Sequence, residues 1–227
     1  MKSNGKSKNG TISLLSSERK PAGPGYDSLT LRTDRGDIEG LLHAAGPAGT
    51  TGPSAVVWVG GAGGGTEGPA GHIYRTLAER LVPAGISSLR LDYRHPNVLV
   101  DCIADLLVAL AWLEDLCGVK RAALVGHSFG GAVVIDAGAL SPIVKLVVAL
   151  SSQTYGADLV ADVSPRSLLL VHGEADRVLP AICSRRLYDA AHDPRELVLY
   201  PGAGHGLTEC AAELRELLWM RLVEQLG

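Results

Sequence analysis

A mostly parallel α/β sheet of about eight strands, with helices on both faces, is predicted by three features of this 227-residue chain. Short runs are apolar without interruption, among them residues 55–59 and 122–125, the pattern of strands covered on both sides. Longer segments with apolar residues at helical spacing alternate with those runs. An alternating pair of strands comes first, so the parallel sheet has an antiparallel hairpin as its lead-in.

Taken in order, residues 1–25 are rich in Ser, Asn, Gly, Lys and Pro and are expected to be a disordered tail. Residues 26–227 are expected to form one domain, a length that a single core accommodates. Residues 26–33 alternate, with Leu29 and Leu31 opposite Ser28 and Thr30, and Asp34-Arg35-Gly36-Asp37 turns the chain into a second strand over 38–44. The buried strand at 55–59 leads into a glycine-rich loop, 60–65, and a helix carrying Ile73, Leu77, Leu81 and Val82 until Pro83-Ala84-Gly85 stops it. A strand at 86–91 precedes an amphipathic helix over 98–117, with Val100, Ile103, Leu107 and Leu110 set against Asp101, Asp105 and Glu114, and Gly118 ends it. The apolar run 122–125 then passes through Gly126-His127-Ser128-Phe129-Gly130 into the small and apolar segment 132–140, a strand, sharp turn and helix. Strands at 143–150, 167–171 and 196–200 follow, with a helix through Ile182, Leu187 and Ala190 and a closing helix over 207–226 marked by Leu214, Leu218 and Leu222.

Composition removes several classes of function. A net charge of −3 with no Lys/Arg run leaves no electrostatic footprint for nucleic acid or a membrane surface, so neither is an expected partner. Cys102, Cys117, Cys183 and Cys210 are scattered, without metal-ligand or disulfide spacing, so neither metal nor cofactor is expected. With no signal-peptide core and no stretch of transmembrane length, a soluble protein of the cytoplasm is expected, whether monomer or homodimer.

The turn at 126–130 spells G-x-S-x-G, in which a serine is held at the tip of a strained strand-to-helix junction. Glycines on either side leave room for the Ser128 hydroxyl, and the helix that starts beneath it offers N–H groups to developing negative charge. In an open parallel sheet functional loops lie at the carboxyl ends of strands. Two further polar clusters occupy such positions: His172-Gly173-Glu174-Ala175-Asp176-Arg177-Val178 and Gly202-Ala203-Gly204-His205. A serine, an acid and a histidine thus fall at three strand ends, in that order.

On these three motifs the chain resembles the α/β-hydrolase superfamily from about Tyr26 to its C-terminus. It is similar in particular to small capless members of the dienelactone-hydrolase-like and carboxylesterase-like kind. The resemblance implies the α/β-hydrolase fold without a cap, with Ser128 as nucleophile, His205 as base and Asp176 as the orienting acid. Glu174 is the rival acid, and family spacing favours Asp176. Serine at the nucleophile position separates the chain from dienelactone hydrolases that use cysteine.

The implied chemistry is acyl transfer. His205 takes the Ser128 proton as the hydroxyl attacks a carbonyl, and Asp176 fixes the imidazole tautomer. Oxyanion charge is expected on two backbone N–H groups, those of Phe129 and Ala62. Gly61, Gly63, Arg94, His95, Gln153 and Tyr155, with Thr154, are expected to line the substrate pocket because they follow strand ends. His127 and His172 are read as holding loops, and Asp92 as bracing a strand end. Only about sixteen residues, 151–166, separate two of the later strands, which leaves no room for a cap. The expected substrate is a small-molecule carboxylic ester with a small or short acyl group. Thioester cleavage is the nearer alternative, and peptidase, lactonase or cofactor-free haloperoxidase activity are others on the same residues. From a different class comes an NAD(P)-binding reading, because Gly63-Gly64-Gly65-Thr66-Glu67-Gly68 fits G-x-G-x-x-G after a strand and Asp92 ends the next one. It leaves the three later motifs unexplained.

Overall fold

Strands that are apolar on every residue need cover on both faces, and the computed structural model, which describes residues 12–227, supplies it. The chain runs β1 (Leu14–Gly23), β2 (Tyr26–Thr33), β3 (Gly36–His43), β4 (Ser54–Val59), α1 (Pro69–Leu81), β5 (Ile86–Asp92) and α2 (Leu99–Asp115). It continues through β6 (Arg121–His127), α3 (Phe129–Leu140), β7 (Val144–Leu150), β8 (Ser167–Gly173), α4 (Ile182–Ala190), β9 (Arg195–Tyr200) and α5 (Ala211–Leu226). The nine strands of the described residues form one sheet in the order β1-β2-β3-β5-β4-β6-β7-β8-β9. The first three are an antiparallel meander joined antiparallel to β5, and every later pairing is parallel.

Alternation along each buried strand sorts side chains into two cores. Ala55, Val57 and Val59 of β4 point into the core shared with α2 and α3, and Val56 and Trp58 into the one shared with α1 and α5. Leu124 and Val125 of β6, and Leu170 and Val171 of β8, divide the same way. Helix α3 is apolar around most of its circumference, with ten of its residues buried, because it is enclosed by the sheet, α2 and the segment after β7. Its approach to the sheet is so close that a Cβ at Gly138 would strike Val147.

The expected tail needs correction. Residues 14–23 form β1, paired along β2 from Leu14 opposite Thr33 to Gly23 opposite Tyr26. It is an edge strand with both faces largely wet, which is why its sequence shows no alternation of apolar residues. Its charges and Pro21 suit an edge that must not pair further. The rest of the expected tail, residues 1–11, lies outside the described residues.

The strand order places the crossing point between β4 and β6. The chain leaves β4 toward β5 on one side and returns past it to β6 on the other, which opens a crevice at the carboxyl ends of those two strands. Parallel register sets Val59 opposite Gly126, so the loops that follow start level with each other. Residues 151–166 form no cap. Ala157, Val160 and Val163 are buried, and the Leu159 N–H donates to Asp136 of α3 at 3.0 Å. Among the described residues no helix is long and apolar enough to cross a membrane.

Helix α5 rests on the stripe Leu214, Leu218, Leu222 and Leu226, all buried, with Met220 exposed on its outer face. Leu222→Ala should therefore cost about 2–5 kcal/mol, and Met220→Ala less than about 0.5 kcal/mol, measured by urea unfolding. Equal losses would contradict this orientation of the helix.

Candidate active site

The glycine loop after β4 and the turn after β6 meet in that crevice with almost no side chains between them. Ser128 adopts φ 59° and ψ −120°, a left-handed region that costs a non-glycine residue about 1–3 kcal/mol. Three contacts hold it there. The Ser128 N–H donates to the Leu150 carbonyl at 2.8 Å, the Gly131 N–H donates to the Ser128 carbonyl at 3.0 Å, and α3 begins at the next residue inside the core. A Cβ at Gly126 would strike the Gly130 carbonyl, and one at Gly130 would strike the Gly60 carbonyl. The two glycines thus let the turn close on itself and lie against the β4 loop, a tighter requirement than room for one hydroxyl.

The loop at 60–65 is folded as tightly. The Gly64 N–H donates to the Gly61 carbonyl at 3.0 Å, which puts Ala62 and Gly63 at the tip of a turn. Asp92 Oδ1 accepts the Gly65 N–H at 2.8 Å and the Tyr93 N–H at 3.0 Å, so this carboxylate ties the end of β5 to the loop. A Cβ at Gly61 would lie 3.5 Å from Ser128 Cβ, whereas one at Gly63 would meet nothing within 4 Å. Among the described residues, no protein acceptor takes the N–H of Ala62 or of Phe129.

Ser128, His205 and Asp176 come together from three strand ends. His205 Nε2 lies 3.1 Å from Ser128 Oγ, and His205 Nδ1 lies 2.7 Å from Asp176 Oδ2. A carboxylate oxygen only accepts, so Nδ1 carries the proton and Nε2 is free to accept from the serine hydroxyl. The Asp176 side chain has no exposed surface. Burial alone would raise its pKa, but the hydrogen bonds from His205 and from the Leu179 and Val178 N–H groups together hold it below the ordinary carboxylate value. The backbone N–H groups of Val178 and Leu179 reach Oδ1 at 2.8 and 2.9 Å. Glu174 instead points outward and pairs with Arg185 at 3.1 Å.

Histidine 127 supports this group from below. Its Nε2–H donates to the His205 carbonyl at 2.9 Å, and the two rings lie with centroids 4.8 Å apart. Burial pushes its pKa down to about 4, so the ring is neutral. A cavity of about 320 Å³ opens beside it, walled by glycine backbone together with Thr66, Glu67, Pro69 and His127. A cavity of about 310 Å³ at the other end of the sheet, between β8, β9 and α5, holds none of the candidate residues.

The expected pocket residues divide. Gly61 stands against Ser128. Arg94 is committed elsewhere: its side chain is 3% exposed, ion-paired with buried Asp105, and donates to the Arg35 carbonyl at 2.8 Å. Its position after a strand end suggested a pocket, but Asp105 of α2 draws it into the core. His95 pairs with Asp101 at 2.9 Å on the surface, Gln153 donates to the Tyr155 carbonyl at 2.7 Å within its own loop, and Tyr155 extends into solvent. None of these four side chains hydrogen-bonds to Ser128 or His205. Thr66 and Glu67, which do line the cavity, carried no sequence signal beyond following the glycine loop. Among the described residues no three His, Cys, Asp or Glu side chains converge as a metal site would require.

No family model matches the chain. It is 31% identical to the uncharacterized protein Rv2307c of Mycobacterium tuberculosis over 212 aligned residues, covering 80% of this chain and 73% of that one. It is 33% identical to the uncharacterized protein YfhR of Escherichia coli over 109 aligned residues, and that match spans only 38% of the relative's length and 38% of this chain. Among solved structures, an alpha-beta serine hydrolase homologue from Coxiella burnetii superposes with a TM-score of 0.71 at 22% identity, over 86% of this chain and 96% of that one. A dienelactone hydrolase from Anabaena variabilis gives 0.72 at 21% identity, over 89% and 98%. XC6422 from Xanthomonas campestris, described as a serine hydrolase without lid, gives 0.72 at 19% identity, over 92% and 99%. These likenesses establish the fold.

The neutral, buried His127 has a consequence for stability. Its pKa falls from 6.5 to about 4 on folding, so between those values the unfolded chain binds the proton and the folded one does not. Stability from this residue is therefore complete above about pH 6.5 and is lost as pH falls toward about 4. His43, with the same shift, adds its own share. His127→Gln, which keeps a donor but does not titrate, should reduce the loss of unfolding free energy between about pH 7 and about pH 4.5. An unchanged pH dependence in chemical unfolding would contradict the neutral buried ring.

Proposed function

We propose that the chain, which has the α/β-hydrolase fold, belongs to that superfamily and is a serine hydrolase that cleaves a small or short-chain carboxylic ester through an acyl-enzyme. The observation that carries this reading is the unbroken line from Ser128 Oγ through both nitrogens of His205 to Asp176, at 3.1 and 2.7 Å, on a serine held in a strained turn.

A serine hydroxyl is a weak nucleophile at neutral pH and needs a base in hydrogen-bond reach. In this reading His205 Nε2 accepts the proton as Ser128 Oγ attacks the ester carbonyl. Asp176, held ionised by its hydrogen bonds, stabilises the imidazolium without taking its proton. The N–H groups of Phe129 and Ala62, free of protein acceptors among the described residues, receive the oxyanion, and Gly61 lets the loop lie against the serine. His205 then returns the proton to the departing alcohol, and water repeats the sequence to release the acid. The short segment packed down between β7 and β8 leaves the serine uncovered, which supports a small acyl group over one needing an enclosing cap.

Ser128→Ala should abolish turnover of p-nitrophenyl acetate and butyrate and labelling by a fluorophosphonate, with thermal stability retained. Undiminished turnover in that variant would overturn the nucleophile assignment. A matched panel of esters and thioesters of increasing chain length measures the preference between the two classes.

A further inference from the structure

We propose that His172 is a positioning residue for this reaction: its Nε2–H shares the carboxylate oxygen of Asp176 that His205 uses and fixes the plane in which that oxygen meets the base. The inference rests on reading Ser128, His205 and Asp176 as the reacting set.

His172 ends the apolar run of β8 and is fully buried, four residues before Asp176. Its Nε2 lies 2.9 Å from the Leu179 carbonyl and 3.2 Å from Asp176 Oδ2. Both neighbours only accept, so Nε2 carries a hydrogen and shares it between them. The other nitrogen, Nδ1, lies 2.7 Å from the hydroxyl of Ser184, a buried residue of α4. The ring is thus gripped at both ends, by a helix on one side and by the acid's own loop on the other.

Asp176 then faces four N–H groups, two on each oxygen. Val178 and Leu179 hold Oδ1, and His205 and His172 meet at Oδ2. The backbone pair alone would keep the carboxylate in its loop. The contribution of His172 is to the oxygen that faces His205, where it limits rotation and draws off part of the negative charge. A packing residue at this place would need neither nitrogen, and an aliphatic side chain would fill the volume without a polar cost.

The titratable groups that face this cluster are Asp176 itself, His205 and, across the His205 ring, His127. Removing a neutral donor concentrates charge on Oδ2, which favours the protonated form of His205. The acid limb of kcat/KM should then move to higher pH. In His172→Leu, kcat should fall about ten- to a hundred-fold with KM within about two-fold of the unmodified enzyme, because the loss is in alignment at the reacting atoms. His172→Gln, which retains an N–H donor, should restore most of kcat and return the limb.

The measurements are steady-state kinetics from about pH 5 to about pH 9 on both variants, with 15N NMR of the imidazoles in the unmodified protein. A folded His172→Leu enzyme with unchanged kcat and acid limb would overturn the proposal, and so would an unprotonated Nε2 on His172. If the leucine variant does not fold, the NMR result decides. Full turnover in Ser128→Ala would instead sink the reading of the reacting set. An inactive Ser128→Ala beside a wild-type His172→Leu would remove only the role given to His172.

Discussion

The close approach of three stretches of backbone at the Gly60 carbonyl is the constraint on which the site depends. Gly130 lies against that carbonyl, Gly126 lies against Gly130, and the Tyr93 hydroxyl donates to it from the end of β5 at 3.3 Å. No side chain fits between these segments. Ser128 can therefore stand at the tip of its turn within van der Waals reach of the loop that follows β4. The strand order makes this meeting possible, since only at a crossing point do two parallel neighbours send their connections away on opposite sides. The strain at Ser128 is sustained because α3, which starts at the next residue, is buried over most of its length.

A second level of organisation surrounds Asp176. A carboxylate without exposed surface is costly unless each oxygen is satisfied, and removing one partner of such a group is more damaging than the net worth of the bond suggests. Here the donors come from the acid's own loop, from β8 and from the loop after β9, so elements distant in sequence share one charge. His127 works the same way from β6, holding the backbone of His205 through its carbonyl. His205 is thereby fixed at its ring by Asp176 and at its backbone by His127.

Legibility in the sequence followed burial. Strands covered on both faces, such as 55–59 and 122–125, announced themselves as unbroken apolar runs, and the three polar clusters do lie at strand ends. The edge strand β1 did not announce itself, because a strand with water on both faces keeps no pattern that composition alone separates from a tail. The surroundings of the expected pocket residues follow a different logic. Position after a strand end describes Arg94 and Glu67 equally well, yet a long-range partner decides each: Asp105 draws Arg94 inward, and the buried Arg90 holds Glu67 at the cavity wall through an ion pair at 2.6 Å. Ser184 carried no signal, since nothing in the sequence around α4 marks the residue that meets His172.

The packing that steadies the site also leaves it uncovered. Asp136 is an acid in an otherwise apolar helix, and burial raises its pKa, a cost it bears while accepting the Leu159 N–H. That bond and the burial of Ala157, Val160 and Val163 draw the segment after β7 onto α3. Thr66, Glu67 and Pro69 supply the side-chain walls of the cavity beside His127. Glu67 is set there by Arg90, which is itself buried, donates to His43 at 3.3 Å and lies over the ring of Tyr26. His43 accepts in its neutral form, since burial and the neighbouring guanidinium push its pKa down to about 4. The shape of the cavity is thus fixed from β2, β3 and β5, strands that contribute nothing to the serine, histidine and acid themselves.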